Sequence, residues 1–196
     1  RSKNTRRVEG AGQKKELRAD CLQTMGCVII GADHAGFVLK EGLKKVLAEK
    51  GLQVIDAGTD NGEAVDYPDF AEAVAEEVSA GRVPWGVLVC GSGVGMSIVA
   101  NRFPGVRAAL CLDEDTARMS RRHNDANVLV LAGRKTDLNT AEKIVTVWLE
   151  TGFEGGRHQA RLDKVVQVEK RIITRAGKGI PFGTRDSMDR CGIRKA

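Results

Sequence analysis

Gly86-Val87-Leu88-Val89-Cys90-Gly91-Ser92-Gly93-Val94-Gly95 is the stretch whose reading decides the fold. An unbroken apolar run of this length, ended by glycines, predicts a short strand buried on both faces. The glycines that follow predict a tight turn into a helix reaching about Arg102. Strand, glycine turn and helix together form one half of a βαβ unit.

Working outward, the same unit recurs. Upstream, Cys27-Val28-Ile29-Ile30 reads as a strand. The polar turn Gly31-Ala32-Asp33-His34-Ala35-Gly36 follows it, and then a helix from Phe37 to Lys50 with Leu39, Leu43, Val46 and Leu47 at helical spacing. Gly51 stops that helix. Residues 52–56 give a second strand, 57–68 a loop and 69–80 an Ala/Glu/Val helix. Downstream, strands are predicted at 107–112 and 127–131, with helices at 114–122, about 138–151 and about 158–175. Strand and helix alternating at this spacing predict an α/β protein: a doubly wound, Rossmann-like, five-stranded parallel sheet with helices on both faces. The expected organisation is a basic extension over 1–25, a single domain over 26–176 and a basic tail over 177–196.

Charge divides along the same lines. The net charge of +5 is carried by the ends: residues 1–25 hold seven Lys/Arg against three Asp/Glu, and residues 171–196 hold seven against two. The middle is therefore mildly acidic, so a nucleic-acid partner is disfavoured. Aromatics are only 4%, which argues against a base-stacking platform. No apolar run approaches the ~20 residues of a membrane helix. The five cysteines (21, 27, 90, 111 and 191) are widely spaced and include no C-x-x-C. That disfavours a zinc ribbon or disulfide framework and points to a reducing, cytoplasmic setting. Met25 is a plausible natural start, and residues 1–24 lack the apolar core expected of a signal peptide.

In a doubly wound sheet, ligands bind at the carboxyl ends of the strands. The expected active edge is built from Asp33 and His34 after the first strand, Cys90 to Gly95 after the third, His123 and Asn124 leading into the fifth, and Arg134 after it. The amides of the Gly91-Ser92-Gly93-Val94-Gly95 loop suit an anion, either a phosphate or a developing oxyanion. The alternative is a plain tight turn. The spacing is neither a dinucleotide fingerprint nor a P-loop. Cys90 reads as a base or nucleophile, or else as a small buried apolar residue, and Cys111 as the latter. Arg157 and Arg161, at i and i+4, form either a phosphate or carboxylate grip or a solvated basic face.

Taken together, five motifs carry a resemblance: Gly-Ala-Asp-His-Ala-Gly at 31–36, Asp66-Tyr67-Pro68, Cys-Gly-Ser-Gly-Val-Gly-Met-Ser at 90–97, Arg-His-Asn-Asp-Ala-Asn at 122–127, and Glu-Gly-Gly-Arg-His-x-x-Arg at 154–161. In order and spacing, over about residues 26–172, they resemble the type B ribose-5-phosphate isomerase family, which also includes galactose- and allose-phosphate isomerases. The resemblance implies aldose–ketose isomerisation of a phosphorylated sugar without metal or cofactor, in a homodimer or dimer of dimers. It implies Cys90 as the base working through a cis-enediolate, with Ser92 where the family often has Thr. His123 would open the furanose with help from Asp33. His34, Arg134, Arg157 and Arg161 would hold the phosphate, and Tyr67 and Asn124 would contact the sugar. His123, Asn124 and Arg134 would come from a partner chain. The competing expectations are an isomerase of a six-carbon sugar phosphate and a non-catalytic sugar-phosphate-binding domain.

Overall fold

Three strands carry the centre of the sheet because every residue on them, with one exception, is apolar and buried: β1 (Cys27–Ala32), β3 (Trp85–Cys90) and β5 (Val128–Ala132), with only Trp85 partly exposed. The shorter β2 (Gln53–Asp56) and β4 (Ala108–Leu110) are only half-buried, as edge strands are. The computed structural model describes residues 26–178 and gives one all-parallel sheet in the order β2-β1-β3-β5-β4. The basic extension over 1–25 and the tail beyond residue 178 lie outside the described residues. Each sequence-predicted strand is present, within about two residues at its ends.

The pleat sends alternate residues of each strand to opposite faces. Val28, Ile30, Val87, Val89, Leu129 and Leu131 pack against α1 (Phe37–Glu49), α4 (Glu114–Asn124) and α5 (Leu138–Glu150). Cys27, Ile29, Leu88, Cys90, Val128 and Val130 pack against α2 (Tyr67–Ser79) and α3 (Val94–Ala100). Two cores, one per face, give the doubly wound architecture that the sequence predicts.

Local chemistry fixes where the helices begin. Asp113 and Asp137 cap α4 and α5, each carboxylate accepting from an amide three residues on, at 2.7 Å from Thr116 and 2.9 Å from Thr140. Glycine at position 36 lets α1 start against β3, since a Cβ there would lie 2.3 Å from the Val89 carbonyl oxygen. Cys27 is disulfide-bonded, a departure from the expectation of reduced thiols; Cys90 and Cys111 are free.

The chain divides into two units, one ending at Gly155 and one beginning at Gly156, inside the region the sequence assigns to a single domain. The sheet and α1–α5 make up the described part of the first. The described part of the second is one helix, α6 (Arg157–Gly177).

Candidate active site

The strand order reverses between β1 and β3, and there the loops leaving the two strands diverge and open a crevice. A cavity of about 380 Å³ occupies that crevice. Asp33, His34 and Ala35 enter it from the turn after β1, and Cys90, Gly91, Ser92 and Gly95 from the turn after β3. Arg134 and Lys135 come from the turn after β5, and Tyr67 from the start of α2.

Cys90 is the last residue of β3 and is 4% exposed. Its Sγ accepts the Gly93 N–H at 3.2 Å, so the sulfur is already oriented as an acceptor. Gly93 stands at φ 76°, a left-handed conformation that suits glycine, and a Cβ there would meet Leu110 at 2.4 Å. Gly95 is needed for a different reason: a Cβ on it would come within 2.7 Å of the Tyr67 ring, which therefore lies directly over the loop. Ser92 is exposed at the cavity, whereas Gly93 is buried in the loop and Val94 points out, 49% exposed.

The Asp33 carboxylate is buried, and one of its oxygens accepts from the amides of Ala35 (2.9 Å) and Gly36 (3.0 Å). It thus shapes the turn that carries His34. The His34 ring is steadied through Nδ1, which lies 3.3 Å from the Val65 carbonyl oxygen and 3.2 Å from the Val65 nitrogen.

Arg134 corrects one expectation. It lines the cavity of its own chain, because β5 pairs directly with β3. The Gly133 amide donates to the Cys90 carbonyl (2.8 Å) and the Arg134 amide to the Gly91 carbonyl (3.2 Å), which places the guanidinium against Gly91. Lys135, which the sequence reading passed over, shares that turn. Its only signal was adjacency to Arg134.

His123 and Asn124 require a second correction. They were expected on the edge that carries Cys90. They close α4 just before β5 begins, and Val128, the first residue of β5, pairs with Gly86 near the start of β3. They therefore lie at the amino edge of the sheet, about one strand length (~15 Å) from Cys90. At that edge Glu154 accepts hydrogen bonds from Arg122, and its other oxygen lies 3.7 Å from His123 Nε2. Beside them, Arg121 is buried between Trp85 and Trp148, with its guanidinium carbon 4.4 and 5.4 Å from the ring centroids. Burial lowers the pKa of Arg121 from its ordinary value, although the Asp125 carboxylate opposes the shift. Arg157 and Arg161 belong to α6, four residues apart and both exposed, as their spacing predicts.

Cys111 differs from Cys90 in its surroundings. It is fully buried, its Sγ directed to the Ala109 carbonyl (3.6 Å) and the Ser120 hydroxyl (3.9 Å). Burial pushes this thiol up to about 11. It is a packing residue, as the sequence suggests.

An acceptor sulfur, a glycine loop and a cation at the carboxyl edge of a doubly wound sheet are the parts of an enzyme acting on a small anion. Comparison with known proteins agrees and is more specific. Residues 28–165 match the family described as Ribose/Galactose Isomerase. Ribose-5-phosphate isomerase B of Escherichia coli K12 is 46% identical over 144 residues, covering 74% of this chain and 97% of that protein. The structure of ribose-5-phosphate isomerase B from Clostridium thermocellum superposes with a TM-score of 0.73 at 47% identity, over 74% of this chain and 99% of its own. That from Mycoplasma genitalium, solved with bound ribulose-5-phosphate, gives a TM-score of 0.73 at 42% identity, over 75% and 98%. The chain belongs to the type B ribose-5-phosphate isomerase family. It is an isomerase of sugar phosphates.

Proposed function

We propose that the enzyme interconverts ribose 5-phosphate and ribulose 5-phosphate, with Cys90 as the base that moves a proton between C2 and C1. The observation that carries this reading is the Cys90 sulfur, held as an acceptor by the Gly93 amide in a cavity that also contains the glycine loop and Arg134. The Cys90 sulfur takes the C2 proton of the open-chain aldose to give a cis-enediolate, the O2 proton passes to O1, and the same sulfur returns its proton to C1, leaving the ketone at C2. Amides of the 91–95 loop and the Ser92 hydroxyl donate to the two enediolate oxygens, where charge develops. His34, Arg134, Arg157 and Arg161 hold the phosphate, which fixes the reacting carbons against the sulfur. Tyr67 and Asn124 contact the sugar. No metal or cofactor takes part in these steps.

Ring opening requires an acid at the furanose oxygen, and His123 is assigned that role with help from Asp33. The separation of His123 from Cys90 within one chain supports a site shared between two copies, in a homodimer or dimer of dimers, with His123 and Asn124 supplied by the partner. The reading carries with it a cytoplasmic enzyme of pentose phosphate metabolism, its catalytic domain over 26–176 flanked by basic ends. A coupled assay with ribose 5-phosphate, allose 6-phosphate and galactose 6-phosphate tests it: the five-carbon substrate is expected to have the highest kcat/KM. A preference for either six-carbon substrate would reassign the substrate. Turnover of none, with binding retained, would leave only a sugar-phosphate-binding domain.

A further inference from the structure

The corner that follows α4 holds a charged network for which the mechanism above has no use. Among the described residues, Asp125 is the sole non-glycine at positive φ, with φ 43° and ψ 47°. A glycine would end the helix in this conformation without strain, so the aspartate is there for its carboxylate. Each of its oxygens is taken by a different guanidinium: Oδ2 accepts from Arg107 Nη2 at 2.9 Å and Oδ1 from Arg121 Nη1 at 2.8 Å. Arg107 Nε also donates to the carbonyls of Asn124 (3.0 Å) and Asp125 (2.8 Å). Arg121 reaches the carbonyls of Ala126 (2.7 Å) and Thr151 (3.3 Å) and is wedged between two tryptophans that meet edge to face at 5.2 Å.

The network thus holds the backbone from Asn124 to Ala126, directly behind His123. A strained residue persists where its surroundings over-determine it, and such residues cluster where geometry matters to function. Ending a helix needs none of this. Setting the position of the two side chains just upstream does, above all if they act on a substrate that their own chain does not hold.

We propose that Asp125 is a positioning residue: clamped by Arg107 and Arg121, it fixes the end of α4 and so the place at which His123 is presented for ring opening. The proposal rests on the reading of His123 as the ring-opening acid.

The test compares two reactions of the full chain in Asp125→Gly and Asp125→Asn. Isomerisation of ribose 5-phosphate requires ring opening. Deuterium uptake at C1 of ribulose 5-phosphate, which cannot close to a furanose, requires enolisation but no ring opening. Asp125→Gly, which keeps the left-handed backbone and removes the clamp, should lower kcat for isomerisation by about 10–100-fold, the scale of small misplacements. Its deuterium uptake should stay within about twofold of the parent, and the His123 ring resonances should shift while those of His34 stay in place. Asp125→Asn, of the same size, should fall between parent and glycine variant, and it serves as the second variant should the glycine one fail to fold. Equal loss in both reactions, or unshifted His123 resonances, would overturn the proposal. If the parent itself fails to isomerise ribose 5-phosphate, the functional reading falls instead, and the His123 resonances still decide whether Asp125 positions that ring.

Discussion

The two edges of this sheet are built on opposite plans. At the carboxyl edge the chain opens: the turns after β1, β3 and β5 diverge, and Asp33, His34, Cys90 and Arg134 border a cavity. At the amino edge the chain closes up, with Arg121 stacked between Trp85 and Trp148 and the turn after α4 held by two arginines. One edge has room for a ligand and carries the candidate base. The other carries the candidate acid on a corner held by two arginines. The lesson is one of direction: in a parallel sheet every crossover returns the chain to the amino edge, so a residue just before a strand lies a full strand length from one just after it. A single chain therefore cannot bring Cys90 and His123 together without abandoning its fold.

The sharpest test at the open edge is the sulfur itself. Cys90→Ala is expected to lower turnover by about 10²–10⁴-fold, the range for a positioned general base. Cys111→Ala, at the thiol that burial raises to about 11, should leave turnover within about twofold. Steady-state rates on ribose 5-phosphate measure both. Near-normal turnover in Cys90→Ala would take the chemistry away from this cavity.

The next test breaks the comparison between edges directly. If Cys90 and His123 act in one site from different chains, then Cys90→Ala and His123→Asn are each inactive alone but complement when mixed. Random reassociation makes half the dimers hybrid, and each hybrid holds one site with both residues intact. Activity should therefore return to about a quarter of the parent value in a two-fold assembly. Co-expression or joint refolding provides the measurement: the unsorted mixture should reach about that quarter, and hybrids isolated by tag about half of the parent value. Hybrids no more active than their parents would show that the two residues do not share a site across chains.

Much of this was legible along the chain, for identifiable reasons. Val87 to Cys90 and Val128 to Leu131 had to be interior strands because no residue in them tolerates water, and glycines marked their ends. The loops at 33–36 and 90–95 could be assigned to one edge because each directly follows a strand. The edge on which His123 lies is not legible from its nearness to β5 in sequence: it precedes that strand, at the end of α4, and so lies at the strand's amino end. The order of β5 and β4 was not legible: it depends on which strands pair, and no local pattern in 107–131 encodes that. Nor was the burial of Lys40, whose side chain is 1% exposed and meets Asp56 at 2.5 Å. On a helix wheel a lysine reads as surface, and only the folded β2–α1 contact shows otherwise.

A smaller effect is expected from the loop that supports the sulfur. Gly93→Ala places a Cβ 2.4 Å from a Leu110 methyl and 3.2 Å from the Leu131 carbonyl oxygen, at φ 76°. The leucine end can yield, but the left-handed backbone still costs about 1–2 kcal/mol. Thermal unfolding should register that loss. Turnover should fall as well, because the Gly93 N–H that orients Cys90 moves with the backbone. A drop in melting temperature with unchanged kcat would show that this hydrogen bond is not needed to orient the sulfur.

The least of the expected effects concerns the caps that start α4 and α5 after β4 and β5. Asp113 and Asp137 are held below the ordinary carboxylate value, chiefly by the amides of Thr116 and Thr140. A carboxyl group lowered in the folded state binds fewer protons there than in the unfolded chain. Its contribution is therefore complete above the ordinary carboxylate value of 3.8 and is lost as pH falls below it. Asparagine caps helices about as well as aspartate but does not titrate in this range. The double variant Asp113→Asn/Asp137→Asn should thus match the parent in urea midpoint at pH 7 and lose less of it between about pH 4 and pH 2.5. Asp56, held low by Lys40 and Lys44 against the opposing effect of burial, remains in both proteins and keeps part of the acid sensitivity. The acid limb should therefore become shallower without becoming flat. An acid limb identical in the two proteins would mean that these caps do not govern acid stability at the open edge, and that the Asp56 cluster with the remaining carboxylates does.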